Sequence, residues 1–315
     1  MKVAFAGTPD LAATVLRALI DSPHEVGLVI SQPDARRGRG RKLKATPVAH
    51  VAREAGLPLA QPDIISEVAD EISAHDVLVV AAYGQILRPD TLYATPNGAL
   101  NVHASLLPKY RGAAPIERAI MAGETVTGVS IMQMDEGLDT GPVALRESTP
   151  IPITMTGGEL RNRLTELGSN LVVKALSLLE RGSLTFERQD NDLATYAAKL
   201  LVEDLWIEWS RTDREVHDMI RALAPDVGAR TSHPEAPGPL RILGSRLPGE
   251  KSYRLRPGEI KAAKERFLVG TGDGDIELTR LQFPGSRPLP APDFLRGRAL
   301  EGYFGPREDT RGSVR

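Results

Sequence analysis

The sequence predicts an α/β protein: a parallel sheet flanked by helices over the first half, then a smaller unit built of short strands. Three observations carry this. Residues 1–179 alternate short apolar runs with amphipathic stretches, the pattern of strand–helix–strand units. From Trp206 onward, after one helix, the apolar runs shorten and are broken by Pro and Gly, as in small β-barrels. A chain of 315 residues also exceeds one ordinary core, so two domains are expected.

The opening strand is expected over residues 3–6, a short apolar run stopped by Gly7. Thr8-Pro9 then has the form of a helix start, with Thr as N-cap and Pro at the first helical position. Leu11, Val15, Leu16, Leu19 and Ile20 give that helix one apolar stripe. A second strand is expected over 26–31, followed by a loop dense in Arg and Gly. Thr46-Pro47 repeats the helix-start device, and Ala55-Gly56 marks that helix's end. Further strands are expected over 57–60, 76–82, 99–102 and 128–133, and a long helix over 158–179 with Gly182 beyond its end. Residues 184–203 read as a connector, and a single helix over 213–223 precedes the short strands. The expected division is thus a first domain over 1–184, a linker over 185–203 and a second domain over 204–315, its end from about Gly305 polar and frayed.

Hydrophobic content of 41% and charged content of 25% are those of a soluble globular protein. There is no cysteine, which excludes disulfides, thiol catalysis and Cys-ligated zinc and fits a reducing cytoplasm. The N-terminal apolar run is too short for a signal peptide, and no run is long enough to span a membrane; a cytoplasmic monomer is the expectation. Net charge is −2, yet residues 204–315 carry 19 Lys/Arg against 17 Asp/Glu, so a slightly basic tail follows an acidic body. Gly7-Thr8-Pro9-Asp10 lacks the later glycines of a dinucleotide fingerprint, and Pro9 would block close backbone contact. A nucleotide-dependent oxidoreductase is rejected on that ground.

Asn101 and His103 stand two apart in a strand, so their side chains project to one face. An amide and an imidazole at the end of a buried strand, with an Asp available to orient the ring, suit acid/base and oxyanion chemistry. An isolated Asn-x-His is more often a structural hydrogen-bonding pair, and the wording around it decides otherwise. The block runs Asn101-x-His103, Ser105-Leu106-Leu107-Pro108, Tyr110-Arg111-Gly112-Ala113-Ala114-Pro115-Ile116 and then Gln133-Met134-Asp135-x-Gly137-Leu138-Asp139-Thr140-Gly141. It resembles the formyl-folate-dependent formyltransferases, densely over residues 1–185 and thinly afterwards, and is nearest in wording to the members that act on tRNA.

The resemblance implies a Rossmann-like parallel-sheet catalytic domain and a C-terminal OB-like β-barrel that binds tRNA. It implies transfer of the formyl group of 10-formyltetrahydrofolate to the α-amino group of methionine on initiator tRNA, with no metal. Asn101, His103 and Asp139 would be the catalytic residues, Asp139 being singled out over Asp135 by the match. The folate pocket would be lined by Tyr83, Gly84, Gln85, Ile86 and Leu87, after the strand over 76–82, and by Ser105, Leu106, Leu107 and Pro108. The loop over 34–44 packs six cations into nine residues, and like-charge repulsion should keep it extended until a polyanion neutralises it. In the tRNA-acting members the matching loop enters the acceptor end of the tRNA. The residues carried over are Arg36, Arg37, Arg39, Arg41 and Lys42, with Arg39 foremost in its Gly38-Arg39-Gly40 core.

Two departures stand out. Ala35-Arg36 replaces the Arg-Pro common in the family, and where many relatives carry an aromatic-rich Asn-Pro-Trp-Pro segment this chain has Arg221-Ala222-Leu223-Ala224-Pro225-Asp226-Val227-Gly228-Ala229-Arg230, in which only the proline survives. The competing readings are formyl transfer to a small amine such as glycinamide ribonucleotide or an amino-sugar nucleotide, formyl-folate hydrolysis, and an RNA-binding protein with a decayed site. The extra hundred residues beyond a minimal catalytic domain argue against the first, the basic loop against the second and the intact Asn101, His103 and Asp139 against the third. His24, His50, His75, His217 and His233 lack such company and are expected to be ordinary surface or core residues.

Overall fold

The structure is a computed structural model, and it describes residues 1–37, 42–249, 253–263, 266–298 and 300–306. Two compact units emerge: Met1–Pro115 with Val126–Pro150 and Arg161–Ala197, and Ile116–Thr125 with Ile151–Leu160 and Ala198–Arg315. In chain order the elements begin with β1 (Lys2–Gly7), α1 (Asp10–Ile20), β2 (Glu25–Ile30), β3 (Ala35–Arg37), β4 (Lys42–Lys44), α2 (Pro47–Glu54) and β5 (Leu59–Ala60). Then come α3 (Ala69–Ser73), β6 (Val77–Ala81), α4 (Pro89–Leu92), β7 (Ala99–His103), α5 (Pro115–Met121), β8 (Val126–Gln133), β9 (Val143–Pro150) and α6 (Gly157–Glu180).

The first unit is built on a seven-stranded sheet in the order β5-β2-β1-β6-β7-β8-β9. The β1, β2, β5, β6 and β7 strands run parallel, whereas β8 is antiparallel to β7 and β9 to β8. All of β6 and all of β1 but Lys2 are buried, as both faces of a parallel sheet require. One face packs α1, α2 and α6 through Leu16, Val51 and Leu176; the other packs Ile65, Ile72 and Leu92. The chain leaves β1 for β2 on one side and returns to β6 on the other, so the carboxyl ends of β1 and β6 flank a topological switch point, where open α/β sheets bind ligands.

The sequence-based expectations hold for these parallel strands and for α2, whose Thr46 hydroxyl caps Ala49 N–H. They fail at Thr8. Pro9 occupies the N-cap of α1 with no side-chain cap, while the Thr8 hydroxyl donates to the Tyr83 carbonyl at 2.8 Å. A bond across the switch point has displaced the local one. Strand β9 was not expected, because its run Val143–Pro150 is mostly polar and finds its place only by pairing with β8. The basic segment, expected as a loop, is flanked by a ribbon in which Arg36 opposes Leu43 and Arg37 opposes Lys42.

The second unit, expected from its Pro- and Gly-broken strands as a small β-barrel, is built on an antiparallel sheet. It contains α7 (Asp213–Leu223), β10 (Ala229–Thr231), β11 (Leu240–Arg246), β12 (Ile260–Ala263), β13 (Arg266–Gly270), β14 (Asp275–Gln282), β15 (Leu289–Pro290) and α8 (Ala291–Gly297). The strand order is β10-β11-β14-β13-β12, with β15 on β14. Helix α7 starts at a reciprocal Thr212–Glu215 capping box and buries Val216, Ile220 and Leu223 in a core that also holds Phe267, Phe294 and Phe304. Leu223 and Ala224, in the segment that replaces the family's aromatic one, are buried. Arg221 reaches from α7 to Asp218 at 2.6 Å and to the Met155 carbonyl at 2.9 Å, which ties the segment Ile151–Leu160 into this unit. No helix among the described residues is long and apolar enough to cross a membrane.

Candidate active site

Strand β7 delivers Asn101 and His103 to one side of the sheet, at the seam between its parallel and antiparallel halves, where they stand opposite Met132 and Ser130 of β8. His103 is 6% exposed. Its Nε2 lies 2.9 Å from the Tyr110 carbonyl, which can only accept, so that nitrogen carries a proton. Its Nδ1 faces Asp139 Oδ2 at 3.7 Å, longer than a hydrogen bond. Contacts of this kind in ligand-free enzymes commonly tighten when substrate arrives. Among the described residues the Asn101 side-chain amide has no hydrogen-bond partner, so its N–H groups are free to meet a ligand.

Asp139 is held from several directions. Its Oδ2 accepts the Gly112 backbone N–H at 2.7 Å, and its carbonyl accepts Gln189 Nε2 at 2.8 Å. The same Nε2 also donates to the Gly141 carbonyl at 2.7 Å. Gly141 is required there, because a Cβ would lie 1.9 Å from the Gln133 carbonyl oxygen. Asp139 itself has φ of 54°, and Ala82 and Tyr110 share the left-handed region at 44° and 60°. Each such non-glycine residue costs on the order of 1–3 kcal/mol and persists only where its surroundings over-determine it. Three of them gather at the strand ends and loops that carry these side chains, which marks the region as one held to a fixed geometry.

The folate candidates divide by burial. Tyr83 and Leu87 are buried in the sheet core, and burial with the charge of Glu67 pushes the Tyr83 phenol up to about 12. Gln85 turns inward, accepting from Ile65 N–H at 3.1 Å and donating to the Asp63 carbonyl at 2.9 Å. Ser105 is buried and donates to the Lys109 carbonyl, and Leu107 packs on Met132 and Val143. The open positions are Gly84, where a Cβ would touch nothing within 4 Å, and Ile86, which is 91% exposed. Leu106 and Pro108 are half-buried. The segment therefore offers backbone and one apolar side chain to a ligand, while its other side chains hold the loop in place.

The root of the basic ribbon is fixed. Asp34 accepts from Gln61 Nε2 at 2.7 Å and from Arg53 at 3.1 Å, and the Gln61 bond foremost lowers its carboxyl below the usual range. Gln32 reaches the Tyr83 carbonyl at 3.4 Å, so the ribbon springs from beside the β6 end. Arg39 and Arg41 lie outside the described residues, and of Arg36, Arg37 and Lys42 only the backbone is described. Like charges opposed in an isolated two-stranded ribbon make it marginal alone.

Tyr110, Arg111 and Gly112, which stand in the matching block but were given no role from the sequence, form a supporting layer with Gln189, which was not singled out. Arg111, 2% exposed, donates to Gln189 Oε1 at 3.1 and 2.9 Å and to Asn191 Oδ1 at 2.9 Å. Its backbone N–H donates to the Thr195 carbonyl and its carbonyl accepts from Ala197, so residues 189–197 pack here although they read as a connector. Gln189 sits in a polar run without periodicity, and no sequence signal marks it. Among the described residues no group of three or more His, Asp or Glu could hold a metal ion.

Residues 1–176 match the formyl transferase family model and residues 199–299 the formyl transferase C-terminal domain. The chain is 60% identical over 302 residues to a methionyl-tRNA formyltransferase of Rubrobacter xylanophilus, covering 96% of this chain and 99% of that one. It is 44% identical over 303 residues to a methionyl-tRNA formyltransferase of Pseudomonas paraeruginosa, covering 95% and 96%. An N-formyltransferase of Helicobacter canadensis, solved with folinic acid and dTDP-3-aminofucose, shares the fold with a TM-score of 0.67 at 20% identity, over 88% of this chain and 98% of that chain.

Proposed function

The chain belongs to the formyl transferase family, and from that footing we propose that it moves the formyl group of 10-formyltetrahydrofolate onto the α-amino group of methionine carried by initiator tRNA. The observation that carries this acceptor over a small amine is the 60% identity, across 96% of the chain, to a relative named for that reaction. Residues 1–184, with the segment 189–197 that packs on Arg111, would hold the folate and the chemistry, and residues 204–315 would add a face for tRNA.

In the proposed reaction the amine nitrogen attacks the formyl carbon, so charge grows on the formyl oxygen. Collapse breaks the bond from that carbon to N10. One proton leaves the amine and one arrives at N10, so the transfer balances. The Asn101 amide and the His103 imidazole would stabilise the oxyanion. Asp139 orients the imidazole and takes the amine's proton, directly or through a water. Its Oδ1 has no protein partner among the described residues and is free for that task. The exposed backbone at Gly84 and the apolar Ile86 suit the edge and face of a pterin, at the sheet end where such ligands bind. Arg36, Arg37, Arg39, Arg41 and Lys42 would neutralise phosphates of the acceptor arm, which would relieve the ribbon's own repulsion.

Supplying 10-formyltetrahydrofolate and methionine-charged initiator tRNA should yield N-formylmethionine after alkaline release from the tRNA. Formate release with no formylated amine would make the protein a hydrolase instead.

A further inference from the structure

Gln189 divides its whole hydrogen-bonding capacity between the Asp139 loop and Arg111. Its two amide N–H groups reach the carbonyls of Asp139 and Gly141, at 2.8 and 2.7 Å. Both lone pairs of its oxygen take N–H groups of the buried Arg111 guanidinium, at 3.1 and 2.9 Å. Arg111 is itself anchored through its backbone to Thr195 and Ala197. The neighbouring Gly112 N–H holds Asp139 Oδ2 at 2.7 Å. Asp139 is thus gripped at its carbonyl by Gln189 and at its carboxylate by Gly112. Between those grips its backbone is kept at φ 54°, a left-handed conformation that costs free energy at any residue but glycine.

We propose that Gln189 is a positioning residue for formyl transfer, holding the Asp139 backbone so that the carboxylate faces His103 Nδ1. This rests on the reading that Asp139 and His103 carry the reaction. Without the Gln189 amide the loop loses its hold on two carbonyls, and φ at Asp139 relaxes toward the ordinary right-handed region. The carboxylate then swings off the imidazole, although Asp139 and His103 are both still present. Positioning losses of this kind reach about 10²-fold in rate for a displacement of roughly 1 Å.

Gln189→Glu separates positioning from scaffolding. It keeps the volume and gives Arg111 a carboxylate to pair with, but it sets an anion against the carbonyls of Asp139 and Gly141. We expect a folded protein with Tm preserved, kcat reduced by about 10²-fold and KM for 10-formyltetrahydrofolate changed less than about threefold. Gln189→Leu, which removes all four bonds, should lower kcat similarly. In an Asp139→Asn background either change should cost less than about threefold more, because both act through one carboxylate. The proposal is overturned if Gln189→Glu keeps kcat within about threefold, if it fails to fold, or if the losses multiply in the double variants. Near-normal turnover by Asp139→Asn alone would instead bring down the site reading itself, and with it this inference.

Discussion

The Tyr110 carbonyl receives a hydrogen bond from His103 Nε2 at 2.9 Å, and this contact turns the opposite ring nitrogen toward Asp139 Oδ2, 3.7 Å away. A backbone group, set by the left-handed conformation of Tyr110, therefore fixes which nitrogen faces Asp139. His103→Ala should lower turnover by about 10²–10⁴-fold, the range for losing a positioned acid/base group. Losing the bond to the Tyr110 carbonyl should cost about 0.5–1.5 kcal/mol of stability, so the variant should remain folded. Denaturant melts beside single-turnover rates check both halves; near-normal turnover would refute the assignment.

Asn101 shares the His103 face of β7, and its amide has no protein partner among the described residues. Asn101→Ala should reduce kcat by about 10²–10³-fold, as for one lost oxyanion donor, with little change in Tm. A rise in KM at constant kcat would mean that the amide binds substrate and transition state alike.

Tyr83 is a folate candidate whose side chain is buried, its hydroxyl without a hydrogen-bond partner among the described residues. Its ring is in the sheet core, and its carbonyl serves Thr8 and Gln32. Tyr83→Phe should leave KM for 10-formyltetrahydrofolate unchanged, while Ile86→Ser, at a position 91% exposed, should raise it. A Tyr83→Phe effect on KM larger than that of Ile86→Ser would reverse this division.

How much of this was legible beforehand follows from which forces are local. Parallel strands declare themselves as continuous apolar runs, and the Asn101-x-His103 spacing declares a shared face. Thr8 looked like a helix cap because the rule for caps is local, whereas its actual partner, the Tyr83 carbonyl, comes from another strand. Strand β9 is polar on its open side and exists through its partner β8. Gln189 was invisible for the same reason, since four bonds that saturate one amide leave no trace in spacing. The segments Ile116–Thr125 and Ile151–Leu160 group with the C-terminal unit, which no linear reading of the chain suggests. Deleting residues 204–315 would strip those segments of their partners, so charge substitutions test the tRNA face more cleanly than truncation.

For the basic ribbon, Arg39→Ala and Arg37→Ala should each raise KM for tRNA with little change for folate. The penalty should shrink as salt rises, and the log–log salt slope should fall by about 1 per lost phosphate contact. A salt-independent effect would assign these residues a structural role in the ribbon.

His217 provides a pH signature for the second unit. Its Nε2 meets the Ile153 carbonyl at 3.0 Å and its Nδ1 the Ser245 hydroxyl at 2.9 Å, and burial foremost lowers its pKa below 6.5. Above pH 6.5 folded and unfolded chains both hold it neutral, so its contribution is fully present. As pH falls below 6.5 the unfolded chain takes up a proton that the folded one resists, and stability declines. His217→Gln should flatten that decline in urea melts run on both sides of pH 6.5; an unchanged slope would place the titration elsewhere.

The most direct test is label transfer from 10-formyltetrahydrofolate with charged initiator Met-tRNA and glycinamide ribonucleotide offered in parallel. Label on the aminoacyl-tRNA alone, abolished by His103→Ala, is the predicted result. Label on the small amine alone would keep the chemistry of Asn101, His103 and Asp139 and contradict the acceptor, the ribbon and the C-terminal unit as read here.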